Sequence, residues 1–159
     1  MRYSVEEVNE RFRQSLFAAS FNICKNPEDA EDVVQDVLVE YHLSGKNFES
    51  EEHLRSWLFR VAINKSKNIC KSFWRTHKTT LEDYMETLVF PTHKNRELFS
   101  AVLQLPDKFR IVTHLFYYED YSIKEIADIL KISESNAKTR LSRARALLKE
   151  KLQEEWNDD

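Results

Sequence analysis

The sequence predicts an all-α chain of two small helical domains joined by a flexible linker, and three observations support this fold class. Gly occurs once and Pro three times, so the residues that interrupt helices are scarce. No stretch shows the alternation of β-branched and polar residues that marks a half-buried strand. Apolar residues instead recur at intervals of three and four, and 159 residues suffice for two small domains. We place the first domain at 1–76, the linker at 77–95 and the second domain at 96–159.

The first two helices are marked by clear periodicity and by a strong boundary between them. One helix is expected from about Ser4 to Cys24. The next begins with Asn26 as the N-cap and Pro27 at the first helical position. Its apolar stripe leaves an outer face that contains Asp32, Gln35, Asp36 and Val39. An acidic face is commonly just solvated, but an apolar residue among the carboxylates favours a docking surface for a basic partner.

A loop and a third helix follow, and the helix changes character halfway along. In the loop, Phe48 either plugs the core or stacks on a nucleobase. The third helix, from about Glu52 to Trp74, is apolar nearly all round in its first half. Its second half carries one stripe of cations and amides beside Trp74, formed by Arg60, Asn64, Lys67, Asn68, Lys71 and Arg75. Between 60 and 78 there are six Lys or Arg residues and no acid, which indicates a nucleic-acid contact rather than simple helix termination.

The linker and the start of the second domain are less regular. Residues 76–95 show weak periodicity and contain Pro91, so we expect at most one helical turn, near 81–88. The second domain should begin near Arg96, and Pro106 opens a further helix.

The segment 121–148 has the pattern of a helix-turn-helix with a basic second helix. Ser122 and Glu125 form a capping box before the first of these helices, and 131–133 is the turn. In the second helix Ala137, Leu141, Ala144 and Leu148 share the buried face. The residues that this arrangement turns outward, or holds at the flanks, are Ser135, Asn136, Lys138, Thr139, Ser142 and Arg143. Such side chains contact base edges and phosphates, so DNA is the leading partner.

Several functional classes are not supported. The two cysteines, Cys24 and Cys70, cannot form a disulfide framework, and no four-ligand zinc spacing occurs. We find no Gly-rich phosphate loop and no nucleophile arrangement, so we expect no enzyme activity, no cofactor, no metal and no small-molecule substrate. The first residues lack an apolar signal core and no apolar run approaches membrane-spanning length, so we expect a soluble cytoplasmic protein.

Three segments, in this order, resemble the bacterial RNA polymerase sigma factors of the extracytoplasmic-function (ECF) group. Residues 26–36, NPEDAEDVVQD, resemble a helix of sigma region two, and 57–64, WLFRVAIN, resemble the promoter-melting segment. Residues 105–110, LPDKFR, through 143–145, RAR, resemble region four. The resemblance covers nearly the whole chain, and it implies two helical domains that bind core polymerase and promoter DNA.

Carried over to this sequence, the resemblance implies a role for each group of residues. Asp32, Gln35 and Asp36 would dock on the clamp helices of the largest polymerase subunit. The −10 element would be met by Asn64, Asn68, Lys71, Ser72, Trp74 and Arg75, next to Arg60 of the same stripe. A base flipped from the non-template strand would be held by the loop of Lys46, Asn47 and Phe48. Lys138, Thr139, Ser142 and Arg143 would read the −35 element, flanked by Ser135 and Asn136. An anti-sigma factor is a further implied partner, which could hold the chain at the membrane.

The sequence departs from the usual ECF pattern at a few positions. Asn68 and Lys71 stand where Asp and Arg are common, and Lys131 replaces the usual Gly of the turn.

Two other hypotheses fit parts of the sequence. A stand-alone helix-turn-helix regulator would use its first domain only to dimerise and would bind a two-fold operator. A helical adaptor would have no nucleic-acid role, which the clustered cations disfavour.

Overall fold

The computed structural model describes residues 2–70 and 81–157, with side chains for 2–69 and 81–153. Within these ranges it contains eight helices and no strand, which confirms the all-α prediction. The helices are α1 Val5–Cys24, α2 Pro27–Ser44, α3 Glu51–Cys70, α4 Leu81–Thr87, α5 His93–Leu103, α6 Asp107–Tyr117, α7 Ile123–Leu130 and α8 Glu134–Asn157. The chain divides into two compact units, residues 1–84 and 85–159.

The first unit is a bundle of α1, α2 and α3 around one hydrophobic core. Each helix begins where its sequence supplies a cap. Ser4 forms a capping box with Glu7, and the Asn26 side chain accepts a hydrogen bond from the backbone N–H of Asp29. The core is formed by Val8, Phe12, Leu16, Val33, Val34, Val37, Tyr41, Phe48, Leu54, Leu58 and Ala62. The apolar stripes predicted for α1 and α2 therefore face this core.

The region predicted as a linker contains more helix than its weak periodicity indicated. It holds α4 and the start of α5, which begins three residues before Arg96. A distant ring contact accounts for α4, and a local cap accounts for the start of α5. The ring of Tyr84 in α4 lies 4.9 Å from that of Phe21, centroid to centroid, and the Thr92 side chain caps α5 by accepting from the N–H of Asn95.

In the second unit α8 packs against α5, α6 and α7. The capping box of Ser122 and Glu125 is present at the start of α7, as the sequence predicted. The helix ends at Lys131, whose φ of 58° and ψ of 46° place it in the left-handed region. Its N–H and that of Ile132 both bond to the carbonyl of Ala127, which closes the helix and sets the turn into α8.

A buried guanidinium holds the start of α6. Arg110 is 1% exposed, and it donates hydrogen bonds of 2.8 Å to the carbonyl of Leu105 and of 2.7 Å to the carboxylate of Asp107. These bonds fix the corner between α5 and α6. Because a buried charge needs such partners, Arg110 is a structural residue here and not part of an exposed basic surface.

Candidate polymerase and nucleic-acid interfaces

The acidic face of α2 is exposed along the first unit. Asp32, Gln35 and Asp36 are all exposed, as the helical periodicity predicted. Two large apolar side chains continue the same face, Val39 at 56% exposed and Leu43 at 76%. A groove of about 550 Å³ borders it and is lined by Asp36, Val39, Glu40, Leu43, Ser44, Lys46, Trp57 and Lys65. Carboxylates beside exposed apolar side chains suit a basic partner that also buries apolar surface.

The polar stripe of α3 is only partly within the described residues. Asn64, Lys67 and Asn68 are exposed and Arg60 is half-buried. Lys71, Ser72, Trp74 and Arg75, which the sequence assigned to the same contact, lie outside the described residues. Lys65, a cation of the same helix, pairs instead with Glu40 of α2 at 3.0 Å. Lys65 is therefore engaged in a contact within the first unit.

The loop between α2 and α3 places its three predicted residues in different environments. Lys46 and Asn47 are exposed, and the Lys46 ammonium lies 5.6 Å from the centroid of the Trp57 ring. Phe48 is only 3% exposed and packs among Tyr41, His53 and Trp57. Of the two roles that the sequence left open for Phe48, its burial fits the core plug and does not fit stacking on a base.

Sequence reasoning missed the contact that holds this loop in place. Arg2 donates hydrogen bonds to the carbonyls of Lys46, Tyr41 and His42, at 2.7, 3.0 and 3.4 Å. Its guanidinium carbon also lies 4.4 Å from the centre of the Tyr41 ring. The residues joined are about 40 positions apart along the chain, so no local pattern could have indicated the contact.

In the second unit α8 presents the predicted DNA-reading face. Ala137, Leu141 and Ala144 are buried, at 0%, 1% and 0% exposed. The six side chains assigned to the −35 element are all exposed: Ser135, Asn136, Lys138, Thr139, Ser142 and Arg143. The helix thus turns one continuous polar and basic surface outward over about two turns.

Two arginines that border this face are held by intramolecular bonds. The Nε of Arg140 donates to the side-chain oxygen of Asn136 at 3.1 Å. The Nε of Arg145 donates to the hydroxyl of Tyr117 at 2.6 Å, and its guanidinium lies 5.2 Å from the Phe116 ring centre. Arg145 therefore braces α8 against α6, a role that the basic run 140–145 did not indicate.

Among the described side chains, no three His, Cys, Asp or Glu residues come together in a way that could hold a metal ion. None of the helices in the ranges 2–70 and 81–157 has both the length and the apolar character required to span a membrane.

Comparison with known families matches both units. The family described as Sigma-70 region 2 matches residues 9–79, and that described as Sigma-70, region 4 matches residues 95–148. Together the two ranges take in most of the chain.

Individual relatives are similar to this protein over nearly the whole chain. RNA polymerase sigma factor SigV of Bacillus subtilis is 27% identical over 90% of this chain and 87% of its own length. ECF RNA polymerase sigma factor SigM of Mycobacterium tuberculosis is 26% identical over 92% of this chain and 76% of its own. RNA polymerase sigma factor YlaC of Bacillus subtilis is 29% identical, over 95% and 93%.

Two solved structures share the fold. The first is CnrH in complex with the cytosolic domain of CnrY, which is 26% identical, covers 91% of this chain and 84% of its own, and has a TM-score of 0.63. The second is the sigma factor RpoE of Bartonella quintana in complex with the anti-sigma factor NepR. It has a TM-score of 0.69 at 21% identity and covers 93% of this chain and 96% of its own.

Proposed function

Because this chain belongs to the sigma-70 family of RNA polymerase sigma factors, within its extracytoplasmic-function group, we propose how its two units divide the work of initiation. The first unit docks on core polymerase and captures the −10 element, and the second unit reads the −35 element as duplex. The observation that carries this division is the contrast in charge between the exposed faces of α2 and α8. An acidic face cannot be the main contact with DNA, whereas a basic one can.

In this proposal the acidic face binds a basic part of the polymerase. Asp32, Gln35 and Asp36 make the polar contacts with the clamp helices of the largest subunit. Val39 and Leu43, exposed on the same helix, supply apolar area next to these charges. Such an arrangement combines electrostatic steering with burial of apolar surface, which raises both the association rate and the affinity.

Recognition of the −10 element falls to exposed groups of α3 and the preceding loop. Asn64 and Asn68 can donate to and accept from base edges. Arg60 lies one turn before Asn64 in α3, and Lys46 and Asn47 lie in the preceding loop. We keep Lys71, Ser72, Trp74 and Arg75 in the proposal on sequence grounds alone. Phe48 is left out, because a ring at 3% exposure cannot stack on a base without leaving the core.

Recognition of the −35 element falls to the N-terminal half of α8. In this proposal the second helix of the helix-turn-helix, α8, lies in the major groove. There Lys138, Thr139, Ser142 and Arg143 reach bases and phosphates. Ser135 and Asn136 lie in the first turn, next to the phosphate backbone. We propose that an anti-sigma factor covers these surfaces, since the solved structure of the sigma factor RpoE contains such a partner. The proposed role in transcription also implies that the chain acts in the bacterial cytoplasm.

Binding to core polymerase can be measured with purified bacterial core enzyme and the full chain carrying a fluorescent label. Asp32→Arg with Asp36→Arg should weaken binding by about a hundredfold or more, because reversed charges would face a basic partner. Glu10→Arg with Glu52→Arg makes the same charge change on exposed carboxylates of α1 and α3 and should leave binding unchanged. Equal effects of the two pairs would refute the assigned docking face.

Promoter selection can be measured by run-off transcription from a fragmented genomic library, with and without the protein. New start sites that share two spaced upstream elements would establish promoter selection and give both sequences. Absence of new starts, together with specific binding of the free protein to a two-fold duplex site, would instead establish a stand-alone regulator. No matched family range supports that second hypothesis, since region 2 covers the unit that would only have dimerised.

A further inference from the structure

The residues that precede α1 form a clasp over the end of α2. Arg2 reaches the carbonyls of Tyr41, His42 and Lys46 with its two terminal nitrogens, and its guanidinium plane lies over the Tyr41 ring. The Tyr41 hydroxyl in turn donates a hydrogen bond of 2.5 Å to the carbonyl of Tyr3. The first residues of the chain and the end of α2 are therefore tied together from both sides.

Two of the three carbonyls that Arg2 binds belong to the last turn of α2, and that of Tyr41 also accepts from the Ser44 hydroxyl at 2.8 Å. The last four carbonyls of an α-helix have no N–H donor within the helix, and they carry its negative end. Tyr41 and His42 lie in this last turn of α2. A cation that donates to both carbonyls adds to the bond from Ser44 and offsets the dipole. The third bond, to Lys46, extends beyond the helix into the loop.

That third bond acts on a short exposed segment that has a few other restraints, one of which is the contact of the Lys46 ammonium with the Trp57 ring at 5.6 Å. Gly45 takes a φ of 61°, which turns the chain out of α2. The N–H of Lys46 bonds to the Ser44 hydroxyl at 3.3 Å, and Phe48 anchors the far end in the core. Between these two points Lys46 and Asn47 are exposed, and the bond from Arg2 to the Lys46 carbonyl sets the direction of the intervening peptide.

We propose that Arg2 is a positioning residue for −10 recognition, which holds the backbone of Lys46 and Asn47 in the conformation that meets the non-template strand. The inference rests on the proposed function, because it takes from it the contact between this loop and a base. Arg2 acts through the loop backbone and needs no contact of its own with DNA. A loop fixed before binding loses less conformational entropy when it captures a base, so the base preference is sharper.

The first test needs no DNA. Hydrogen exchange of residues 42–48 should be about fivefold faster in Arg2→Ala than in the unsubstituted protein, the factor that one typical hydrogen bond supplies. The matched control is Arg11→Ala. Arg11 is another exposed arginine of the first unit, which pairs with Glu51 at 3.4 Å and lies over the Tyr3 ring, but bonds to no residue of the loop. Unchanged exchange in Arg2→Ala would overturn the proposal.

The second test measures base preference. Holoenzyme reconstituted with the full chain transcribes the promoter found in the run-off experiment, with each −10 base randomised, and the transcripts are sequenced. Arg2→Ala should lower discrimination by about fivefold at the base that Asn47→Ala also affects, and leave the −35 preferences unchanged. Arg11→Ala should leave the whole profile unchanged. Arg2→Lys should recover part of the preference, since one ammonium can reach some of the three carbonyls.

Each alternative role gives a different result. A direct phosphate contact would lower affinity uniformly across sequences, reduce the salt dependence and be rescued fully by Arg2→Lys. A purely structural role would lower the melting temperature of the first unit with an unchanged preference profile. Either result overturns the inference. If Asn47→Ala changes no base preference, the proposed contact of the loop with a base is refuted, and the inference about Arg2 is refuted with it. If Asn47→Ala changes the preference and Arg2→Ala does not, only the role of Arg2 is refuted.

Discussion

The turn of the helix-turn-helix offers a sharp test of the backbone geometry. Lys131 ends α7 with φ of 58° and ψ of 46°, a conformation that costs an L-residue about 1–2 kcal/mol. Lys131→Gly removes this cost. Glycine also has more conformational freedom than lysine in the unfolded chain, and this cancels about 0.5–1 kcal/mol of the gain in stability. We therefore expect the free energy of unfolding of the second unit to rise by about 0.5–1 kcal/mol.

The assay is thermal and urea unfolding of the full chain, followed by circular dichroism. A change of this size should raise the melting temperature of a unit of this length by about 3–6 °C. Lys149→Gly is the matched control, because it makes the same chemical change at an exposed position inside α8, where helical glycine costs about 1 kcal/mol. The two variants should shift in opposite directions. A loss of stability in both would refute the left-handed conformation assigned to Lys131.

Three further outcomes are expected. Ser122→Ala removes the hydroxyl that accepts from the Glu125 N–H at 3.1 Å, so urea unfolding should show a loss of about 1 kcal/mol. Phe48→Ala should destabilise the first unit by about 3–5 kcal/mol, because it leaves a cavity in the core. Phe48→Leu keeps most of the side-chain volume and should leave promoter preference unchanged. An altered promoter preference in a stable Phe48→Leu protein would argue for base stacking. Partial burial raises the pKa of Tyr118 above its usual 10.0, although about half of the residue is exposed, so folding favours its neutral form only slightly. The stability of the second unit should therefore fall slightly as pH rises above about 10. Tyr118→Phe should lessen that fall in urea unfolding measured from about pH 8 to 11.

Much of the fold follows from local sequence patterns. Asn26 with Pro27, and Ser122 with Glu125, predicted helix starts that the structure confirms, because capping is a matter of three or four adjacent residues. The buried face of α8 was likewise predicted, since its spacing reports directly which side chains share a face. The same spacing predicted which residues of α8 are exposed, because they are the ones left on the side opposite the buried face. Their roles at the −35 element stay predictions.

Other features depend on contacts between distant residues, which a local pattern cannot reveal. Phe48 lies in a polar loop and its sequence context fitted two roles; only the packing of Tyr41 and Trp57 around it favours burial. Arg145 belongs to a basic run, yet it bonds to Tyr117, 28 positions earlier. The clasp of Arg2 on Lys46 spans 44 positions. In each case the chemistry of the side chain permitted several partners, and the tertiary arrangement selected one.

The buried side of α8 has a consequence for how relatives of this protein can diverge. Ala137 and Ala144 are fully buried, so a larger side chain at either position would push the helix away from its neighbours. The six exposed positions opposite them have no such restriction, and substitutions there change stability little. Under the proposed assignment of these positions to the −35 element, mutation can therefore change promoter preference while the scaffold that presents them stays the same. A duplicated gene could acquire a separate regulon through a few surface changes, without first passing through an unstable protein.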